Sequence, residues 1–344
     1  MACSSSKNYK LVDSELSVKE SMYELKSLAP NSLLAVDCEG VNLSRKGELT
    51  IVTVATEEKA YIFDVIKLKQ AAFDGGLREI LQDKSREKLM FDCRQDSDGL
   101  WHQFGVKLAG VLDLQLLEVM YRWRNSASPG MSAAHKPRWE RVDVENIHGF
   151  LRCLELYIKD YGVLKTKEDG KKLLRNDGNV WAKRPLPDNL LRYCAIDTLE
   201  QFKLYKKLKS ANDEELPRLR VASQRYVDMY RCKSVRYYDG YETNAFLPLD
   251  IIPEKGTLHF PFATTECTGC KRRFPQEEFS TAQLRKGESR CRVCKVVKQR
   301  ANRKHRVDDC YDFDDCYDFD DRYDFDDCYD FDDRYDFDDC YDFE

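Results

Sequence analysis

The chain has 344 residues, of which 34% are charged and 42% hydrophobic, and its formal net charge at pH 7 is −5. This length allows about two domains with a real core, and no run approaches the ~18 apolar residues that a membrane-spanning helix needs. No apolar signal-like region follows Met1, so we expect a cytoplasmic or nuclear protein without a membrane partner.

Apolar runs and helical patterns alternate through the first 122 residues. Strands are predicted over Tyr9–Asp13, Leu33–Glu39, Leu49–Ala55, Ala60–Asp64, Lys88–Asp92 and Val111–Asp113. Helices are predicted over Ser14–Leu28, Leu68–Leu81, Asp96–Phe104 and Leu114–Arg122, with Gly75-Gly76 weakening the second. Strands first, followed by strands that alternate with helices, predict a mixed α/β sheet with helices on its faces.

The following part of the chain is mainly helical and charged. Its predicted segments are a polar loop over Asn125–Arg141, a helix over Val144–Tyr161, a very basic stretch over Lys165–Arg184, an amphipathic helix over Pro187–Lys206, a charged helix over Ala211–Arg231 interrupted at Pro217, and a linker over Asp239–Glu266. The linker is inferred because its glycines and prolines break any helical pattern.

The net charge hides an asymmetry in the last part of the chain. Asp308–Glu344 contains 19 acidic residues and 2 arginines, a net charge of −17, so the remainder of the chain carries +12. Cys267–Val307 alone accounts for +10, with 13 basic and 3 acidic residues. The basic and acidic segments therefore need separate interpretations.

Asp37 and Glu39 give the first functional signal, at the end of the apolar run that begins at Leu33. Residues i and i+2 of a strand point to the same face, so the two carboxylates would stand side by side. Like charges at that separation repel unless one takes up a proton or a divalent cation binds both. A metal site is one interpretation, and a strand that ends in a solvated polar turn is the other.

Three more residues offer oxygen atoms on later elements. Asp96 opens a helix directly after the strand Lys88–Asp92, and Tyr193 and Asp197 stand four residues apart on the helix Pro187–Lys206. Because residues i and i+4 share a helix face, Tyr193 and Asp197 are able to address one site together.

These motifs, in this order, resemble the three motifs of the DEDDy-class 3′–5′ exonucleases of the RNase D and Werner-exonuclease type. The segments HQFG, after the second motif, and WAKRPL, before the third, are most similar to those of exonuclease 3′–5′ domain proteins related to Egalitarian. The resemblance covers about Tyr9–Leu208. It implies an α/β, RNase H-like (DnaQ-like) fold and hydrolysis of phosphodiester bonds from the 3′ end of a nucleic acid, with RNA favoured.

The same resemblance implies two Mg²⁺ or Mn²⁺ ions and a role for each residue. Asp37 would bridge both ions, Glu39 and Asp197 would complete the first site, Asp96 would complete the second, and Tyr193 would hydrogen-bond the attacking water. Hard oxygen ligands suit these ions, and two ions about 3.5–4 Å apart assist phosphodiester hydrolysis.

Asp92 and Asp98 compete with Asp96 for its role. We choose Asp96 because the resemblance places this residue about two helical turns before an aromatic-Gly pair, here Phe104-Gly105. Asp98 is the alternative, and a helix cap is another explanation for a lone Asp.

Trp181, Lys183 and Arg184 are candidates for holding substrate phosphates and a stacked base. The alternative is a structural loop that packs Trp181 on the core. We expect His102 and His148 to be packing or surface residues rather than metal ligands.

Cys267, Cys270, Cys291 and Cys294 form two CxxC pairs separated by 20 residues, a pattern typical of one structural Zn²⁺. The surrounding run resembles the small zinc modules of a fungal adaptor that links RNA interference to chromatin modification. Its charge predicts phosphate or nucleic-acid binding. A solvated basic face, or a nuclear-localisation cluster at Arg300–Arg306, is the alternative.

Asp308–Phe343 consists of six copies of Asp-Asp-(Cys/Arg)-Tyr-Asp-Phe. Three aspartates per copy repel one another, which predicts disorder. We hypothesise that this tail folds back on the basic module and competes with nucleic acid.

The sequence thus predicts four parts: an exonuclease domain over residues 1–238, a linker over 239–266, a zinc module over 267–307 and an acidic tail over 308–344. The alternative hypotheses are an RNA-binding adaptor that uses the exonuclease fold without cutting, and a scaffold that binds protein partners through the zinc module or the tail. The complete set of acids favours an enzyme.

Overall fold

A six-stranded mixed sheet forms the centre of the fold in this computed structural model, which describes residues 8–126, 146–210, 215–233, 241–253 and 263–299. In chain order, the strands of this sheet are β1 (Tyr9–Val12), β2 (Leu34–Val41), β3 (Glu48–Ala55), β4 (Ala60–Asp64), β5 (Lys88–Met90) and β6 (Val111–Asp113). Their spatial order is β1-β4-β3-β2-β5-β6, with β4-β3-β2 antiparallel and the other neighbours parallel. The predicted mixed α/β fold is confirmed.

Helices cover the sheet and extend beyond it. Their bounds are α1 (Glu15–Lys26), α2 (Val65–Leu68), α3 (Gln70–Ala72), α4 (Arg78–Gln82), α5 (Arg94–Phe104), α6 (Leu114–Ser126), α7 (Phe150–Cys153), α8 (Tyr161–Asn176), α9 (Asp188–Leu208), α10 (Glu215–Arg231), α11 (Pro248–Ile251) and α12 (Thr281–Lys286). π-helical turns occupy Phe73–Leu77 and Leu154–Ile158, and 3₁₀ turns occupy Val180–Ala182 and Gln276–Glu278. Among the described residues, no helix is both long and apolar enough to cross a membrane.

The central strands are buried on both faces, as their continuous apolar sequences predict. Every residue of β3 from Leu49 to Ala55 is buried, and so is all of β4. Helix α9 crosses the sheet and contacts β1 to β5. This crossing brings the middle of α9 beside the end of β2.

Two predicted helices differ from the structure at residues with positive φ. The helix expected over Leu68–Leu81 is interrupted at Lys69, with φ 49°, and at Gly76, whose φ of 126° suits glycine. The helix expected over Val144–Tyr161 ends at Lys159, with φ 59°, and Asp160 then caps α8 through the N–H groups of Gly162 and Val163.

Pro217 does not interrupt α10, so that expectation is wrong. The helix runs without a break from Glu215 to Arg231, and Pro217 lies in its first turn. N–H groups there have no intrahelical partner, so a proline costs little.

The expected linker is also wrong for residues 241–253, which pack against the main core. Leu247 and Ile252 are fully buried. The Arg94 guanidinium, itself 1% exposed, donates to the Glu242 carbonyl at 2.8 Å and lies 4.8 Å from the ring centre of Tyr226 on α10. This segment therefore packs into the same core as the six-stranded sheet.

The C-terminal described part is a small cysteine-bearing module. It contains a hairpin of β7 (Ala263–Glu266) and β8 (Arg273–Pro275), helix α12, and a helical stretch over residues 292–299. The Arg292 N–H donates to Asp250 Oδ1 at 3.1 Å and so joins the module to the segment described above. The tail Asp308–Phe343 and most of the loop predicted over Asn125–Arg141 lie outside the described residues.

Candidate active site

Two carboxylates of the site lie in the middle and second half of β2. Asp37 pairs with Thr53 of β3 and Glu39 pairs with Ile51, which places both side chains on one face of the sheet. The register shifts immediately after Glu39, where a Cβ on Gly40 would lie 2.1 Å from the Glu48 carbonyl oxygen. Glycine at this position therefore lets the two strands approach closely just beyond the carboxylates.

Helix α9 supplies the third carboxylate. One carboxylate oxygen from each of Asp37, Glu39 and Asp197 lies within 4.8 Å of the others. Three residues that are far apart in the sequence thus meet at one point, because α9 crosses the sheet beside β2.

Asp96 faces the same region from the first turn of α5. It is 7% exposed and lies outside the group of oxygens within 4.8 Å. Burial, followed by the charge of Asp37, raises the pKa of Asp96 well above its ordinary value. Asp96 is therefore close enough to interact electrostatically with the other three acids.

Burial and mutual repulsion make this cluster poor at holding negative charge. Burial and then the Asp197 charge raise the pKa of Asp37 to about 7. Burial and the Asp37 charge raise the pKa of Glu39 well above its ordinary value. A divalent cation would relieve this repulsion, and carboxylate oxygens are the ligands that Mg²⁺ and Mn²⁺ prefer, so the residues fit such an ion.

Lys167 supplies a positive charge that the sequence analysis did not single out. Its ammonium lies 2.5 Å from Asp197 Oδ1 and 3.9 Å from the ring centre of Tyr193. The buried face of α8 consists of Val163, Lys167 and Gly170. A lysine in the middle of the buried face of a basic helix is the signal that would have identified it.

Tyr193 is held from two sides. A Cβ on Gly170 would lie 2.1 Å from Cδ2 of the Tyr193 ring, so the backbone of α8 packs directly against that ring. Trp181 lies 6.0 Å away, between ring centres. Burial and the charge of Asp197 raise the pKa of Tyr193, which keeps the phenol neutral and able to donate a hydrogen bond.

Asp98 and Asp92, the competitors of Asp96, have other partners. Asp98 is fully buried and accepts hydrogen bonds from the Arg45 backbone N–H at 2.8 Å and from its guanidinium at 2.9 and 3.1 Å. Asp92 accepts from the Arg94 guanidinium at 2.5 and 2.6 Å. Both carboxylates therefore act in buried or half-buried ion pairs.

The residues expected to contact nucleic acid are mostly engaged within the protein. Trp181 is 2% exposed, so its ring is not available to stack a base, and the alternative of a packed loop is the better description. Arg184 binds both oxygens of Asp64, at 2.6 and 2.8 Å. Lys183 pairs with Asp177 and keeps a side chain that is 65% exposed.

His102 and His148 lie in hydrogen-bonded surroundings. His102 Nε2 lies 3.1 Å from the Arg231 carbonyl oxygen. His148 Nδ1 lies 3.1 Å from Glu118, which also accepts hydrogen bonds from Arg122 and Tyr157. Glu118, His148 and Cys153 also come close together, and Glu118 and His148 belong to this hydrogen-bonded network.

The four cysteines of the C-terminal module converge. One sulfur from each of Cys267, Cys270, Cys291 and Cys294 lies within 4.8 Å of the others, and the sulfurs of Cys270 and Cys291 are 3.9 Å apart. Tetrahedral zinc with Zn–S bonds of about 2.3 Å requires a similar spacing. Four sulfurs from the protein fit a structural zinc ion.

Backbone N–H groups favour the thiolate form of Cys267, whereas burial raises the pKa of Cys291 and of Cys294. Burial disfavours the Cys267 thiolate, but the N–H groups of Cys291, Cys270 and Gly269 outweigh it and lower the pKa of Cys267 to about 7. The N–H groups of Cys291 and Gly269 lie 3.3 and 3.4 Å from the Cys267 sulfur. The thiolate, which is the form that binds zinc, is thereby favoured.

Comparison with known proteins agrees with the fold. A family model described as 3′–5′ exonuclease matches residues 9–212. The piRNA biogenesis protein EXD1 of Mus musculus is 32% identical over 222 residues, which cover 64% of this chain and 36% of that protein. EXD1 of Homo sapiens is 31% identical over 225 residues, covering 65% and 41%. The chain thus spans less than half the length of these curated relatives.

Solved structures of RNase D from Trypanosoma brucei share the fold. RNase D in complex with GMP superposes with a TM-score of 0.56 and 24% identity, covering 83% of this chain and 81% of that chain. The structure of RNase D alone gives a TM-score of 0.54 and 25% identity, with coverages of 84% and 93%. A complex with the RNA U12 gives a TM-score of 0.55 and 24% identity, with coverages of 80% and 87%.

Proposed function

We propose, since the chain belongs to the 3′–5′ exonuclease family, that it hydrolyses phosphodiester bonds from the 3′ end of RNA at the cluster of Asp37, Glu39, Asp96 and Asp197. The observation that carries this proposal is the meeting of one oxygen from each of Asp37, Glu39 and Asp197 within 4.8 Å. Asp197 is buried and Asp37 and Glu39 are half-buried, and the raised pKa values of these acids support a site built for cations.

The acids would hold two divalent ions, with Asp37 shared, Glu39 and Asp197 on one ion, and Asp96 on the other. When bound, such ions generate a nucleophilic water and neutralise charge on the leaving oxygen. The separation of Asp96 from the tight group of three supports this division of the ligands. Mg²⁺ and Mn²⁺ both suit an all-oxygen ligand set.

Tyr193 would orient the attacking water. Its neutral hydroxyl acts as a hydrogen-bond donor, and its ring is fixed between Gly170 and Trp181. A rigidly placed donor lowers the entropic cost of bringing the water into line. The role is therefore one of positioning rather than of proton abstraction.

RNA is the proposed substrate on the basis of the relatives. EXD1 is named as a piRNA biogenesis protein, and the RNase D of T. brucei was solved in complex with an RNA. The cysteine module would hold one structural Zn²⁺, because all four ligand positions are filled by protein sulfur. Its basic charge would tether the RNA.

The test uses 3′-labelled and 5′-labelled single-stranded RNA and DNA with Mg²⁺, Mn²⁺ or EDTA. Asp37→Asn and Asp197→Asn serve as inactive variants and Asp169→Asn, an exposed acid on α8, as the matched control. We expect metal-dependent shortening of RNA from the 3′ end, lost in both site variants only. RNA that binds but is never shortened would contradict the proposal and favour the adaptor function.

A further inference from the structure

We propose that Lys167 is the site's own counter-cation, which competes with the divalent ion for Asp197 and must withdraw as the metal binds. This inference rests on the proposed function, because it concerns the same carboxylates. It adds a residue that the family motifs do not contain, and it makes metal loading an exchange of cations rather than a simple addition.

The first support is the position of the ammonium. Lys167 is 4% exposed, and its Nζ lies 2.5 Å from Asp197 Oδ1. The same nitrogen lies 3.9 Å from the ring centre of Tyr193 and 5.4 Å from that of Phe150. A buried ammonium with one carboxylate and two aromatic faces around it is well stabilised where it stands.

The second support is the crowding on Asp197. An ion bound to Asp37, Glu39 and Asp197 would lie at about 2.1 Å from a carboxylate oxygen of each. The ammonium already occupies the bonding distance of one Asp197 oxygen. A divalent charge repels the ammonium twice as strongly as a monovalent charge would at the same separation, so the two cations disfavour each other on this carboxylate.

The third support is the freedom of the lysine relative to its helix. Gly170 anchors α8 against Tyr193 by direct backbone contact, so the helix itself has little room to shift. The lysine side chain is a flexible four-carbon stem that is able to turn by rotation alone. Withdrawal of the ammonium therefore leaves α8 and Tyr193 in place.

The experiment measures binding of Mn²⁺ alone to the full chain, from the EPR signal of the free ion, with zinc retained in the cysteine module. Lys167→Met removes the charge and keeps the stem, and Lys167→Gln is a second neutral variant. Lys172→Met, which removes an exposed charge from the same helix, is the matched control. Thermal unfolding without Mn²⁺ is recorded in parallel.

We expect both Lys167 variants to bind Mn²⁺ on the order of tenfold more tightly than the natural chain, and to unfold at lower temperature when Mn²⁺ is absent. The control should change neither quantity. Unchanged or weaker binding in folded Lys167 variants would overturn the inference, since a lysine that only braces the site or contacts substrate would give that result. If the natural chain showed no Mn²⁺ binding that depends on Asp37, the proposed function would be overturned instead.

Discussion

Gly170 and Tyr193 are in direct contact: a side chain at residue 170 would place its Cβ 2.1 Å from the Tyr193 ring. The backbone of α8 thus meets the Tyr193 ring of α9 directly, at the residue proposed to orient the attacking water. Glycine is required here by space, since Gly170 has no positive φ.

Gly170→Ala is therefore expected to displace Tyr193 and to slow hydrolysis by about 10- to 100-fold, with RNA affinity nearly unchanged. Single-turnover rates and RNA binding would be measured side by side. Gly162→Ala is the control, because its Cβ would make only an ordinary contact with Asp160, at 3.4 Å. Equal losses in both variants would argue that helix stability, rather than the Tyr193 contact, is responsible.

Asp37→Asn should stabilise the protein in buffer without Mg²⁺ or Mn²⁺, and more so at high pH. The folded-state pKa of Asp37 is about 7, against an ordinary value of 3.8. When folding raises the pKa of a carboxyl, the folded protein loses stability as the pH rises from the unfolded-state pKa to the folded-state pKa, here from about 4 to about 7. The difference is of the order of a few kcal/mol.

Urea unfolding of the natural chain and of Asp37→Asn at pH 5 and pH 8 would test this prediction. The advantage of the variant should grow between the two pH values, and saturating Mg²⁺ should remove it. An advantage that is the same at both pH values would show that repulsion in the cluster is not its cause.

Asp96 and Asp98, two residues apart, should respond to substitution in opposite ways. Asp96→Asn is expected to abolish hydrolysis in a stable protein. Asp98→Asn breaks a buried pair with Arg45 and should lower the free energy of unfolding by about 3 kcal/mol, while each folded molecule remains active. Activity per folded molecule, with the folded fraction taken from circular dichroism, separates the two effects.

Cys291→Ser should release zinc and lower the unfolding temperature. Cys291 is fully buried in the cysteine cluster, and its neighbour Arg292 joins the module to Asp250. We expect about one zinc per chain in the natural protein and none in the variant, by elemental analysis. Cys232→Ser, at an exposed cysteine outside the cluster, should leave the zinc content and stability unchanged.

Removal of Asp308–Glu344 changes the net charge from −5 to +12. If the tail competes for the basic module, RNA affinity should rise and its dependence on salt should steepen, as fluorescence anisotropy would measure. Replacing the tail aspartates by asparagine keeps the length and should give the same gain. If neither variant changed the RNA affinity or its salt dependence, the hypothesis that the tail competes with RNA would be wrong.

The sheet was predictable from sequence because its strands are continuous apolar runs. The start of β2 was predicted within one residue and both ends of β4 without error, since burial on both faces leaves a pattern that needs no knowledge of the neighbours. Asp37 and Glu39 could be found in the same way, because they directly follow the apolar start of β2. Asp96 and Asp197 lie on helices and were singled out by the order of the motifs.

Helix α8 and its lysine were not predictable in that way. Its only buried positions are Val163, Lys167 and Gly170, and the exposed remainder is dominated by charge. The charged composition of this helix hides its narrow apolar face, and its contact with Tyr193 comes from the tertiary fold. The burial of Trp181 likewise depends on packing partners far away in the sequence.

The bond from Arg94 to the Glu242 carbonyl means that the limits of the family and the limits of the folding unit differ. The family match ends at residue 212, yet a chain cut there would lose both the Tyr226 ring and the Glu242 carbonyl that contact a buried guanidinium two residues from Asp96. The smallest autonomous exonuclease should therefore extend to about Pro253. A shorter fragment would be inactive because it lacks the segment that packs beside the active site, and not because it lacks a catalytic residue.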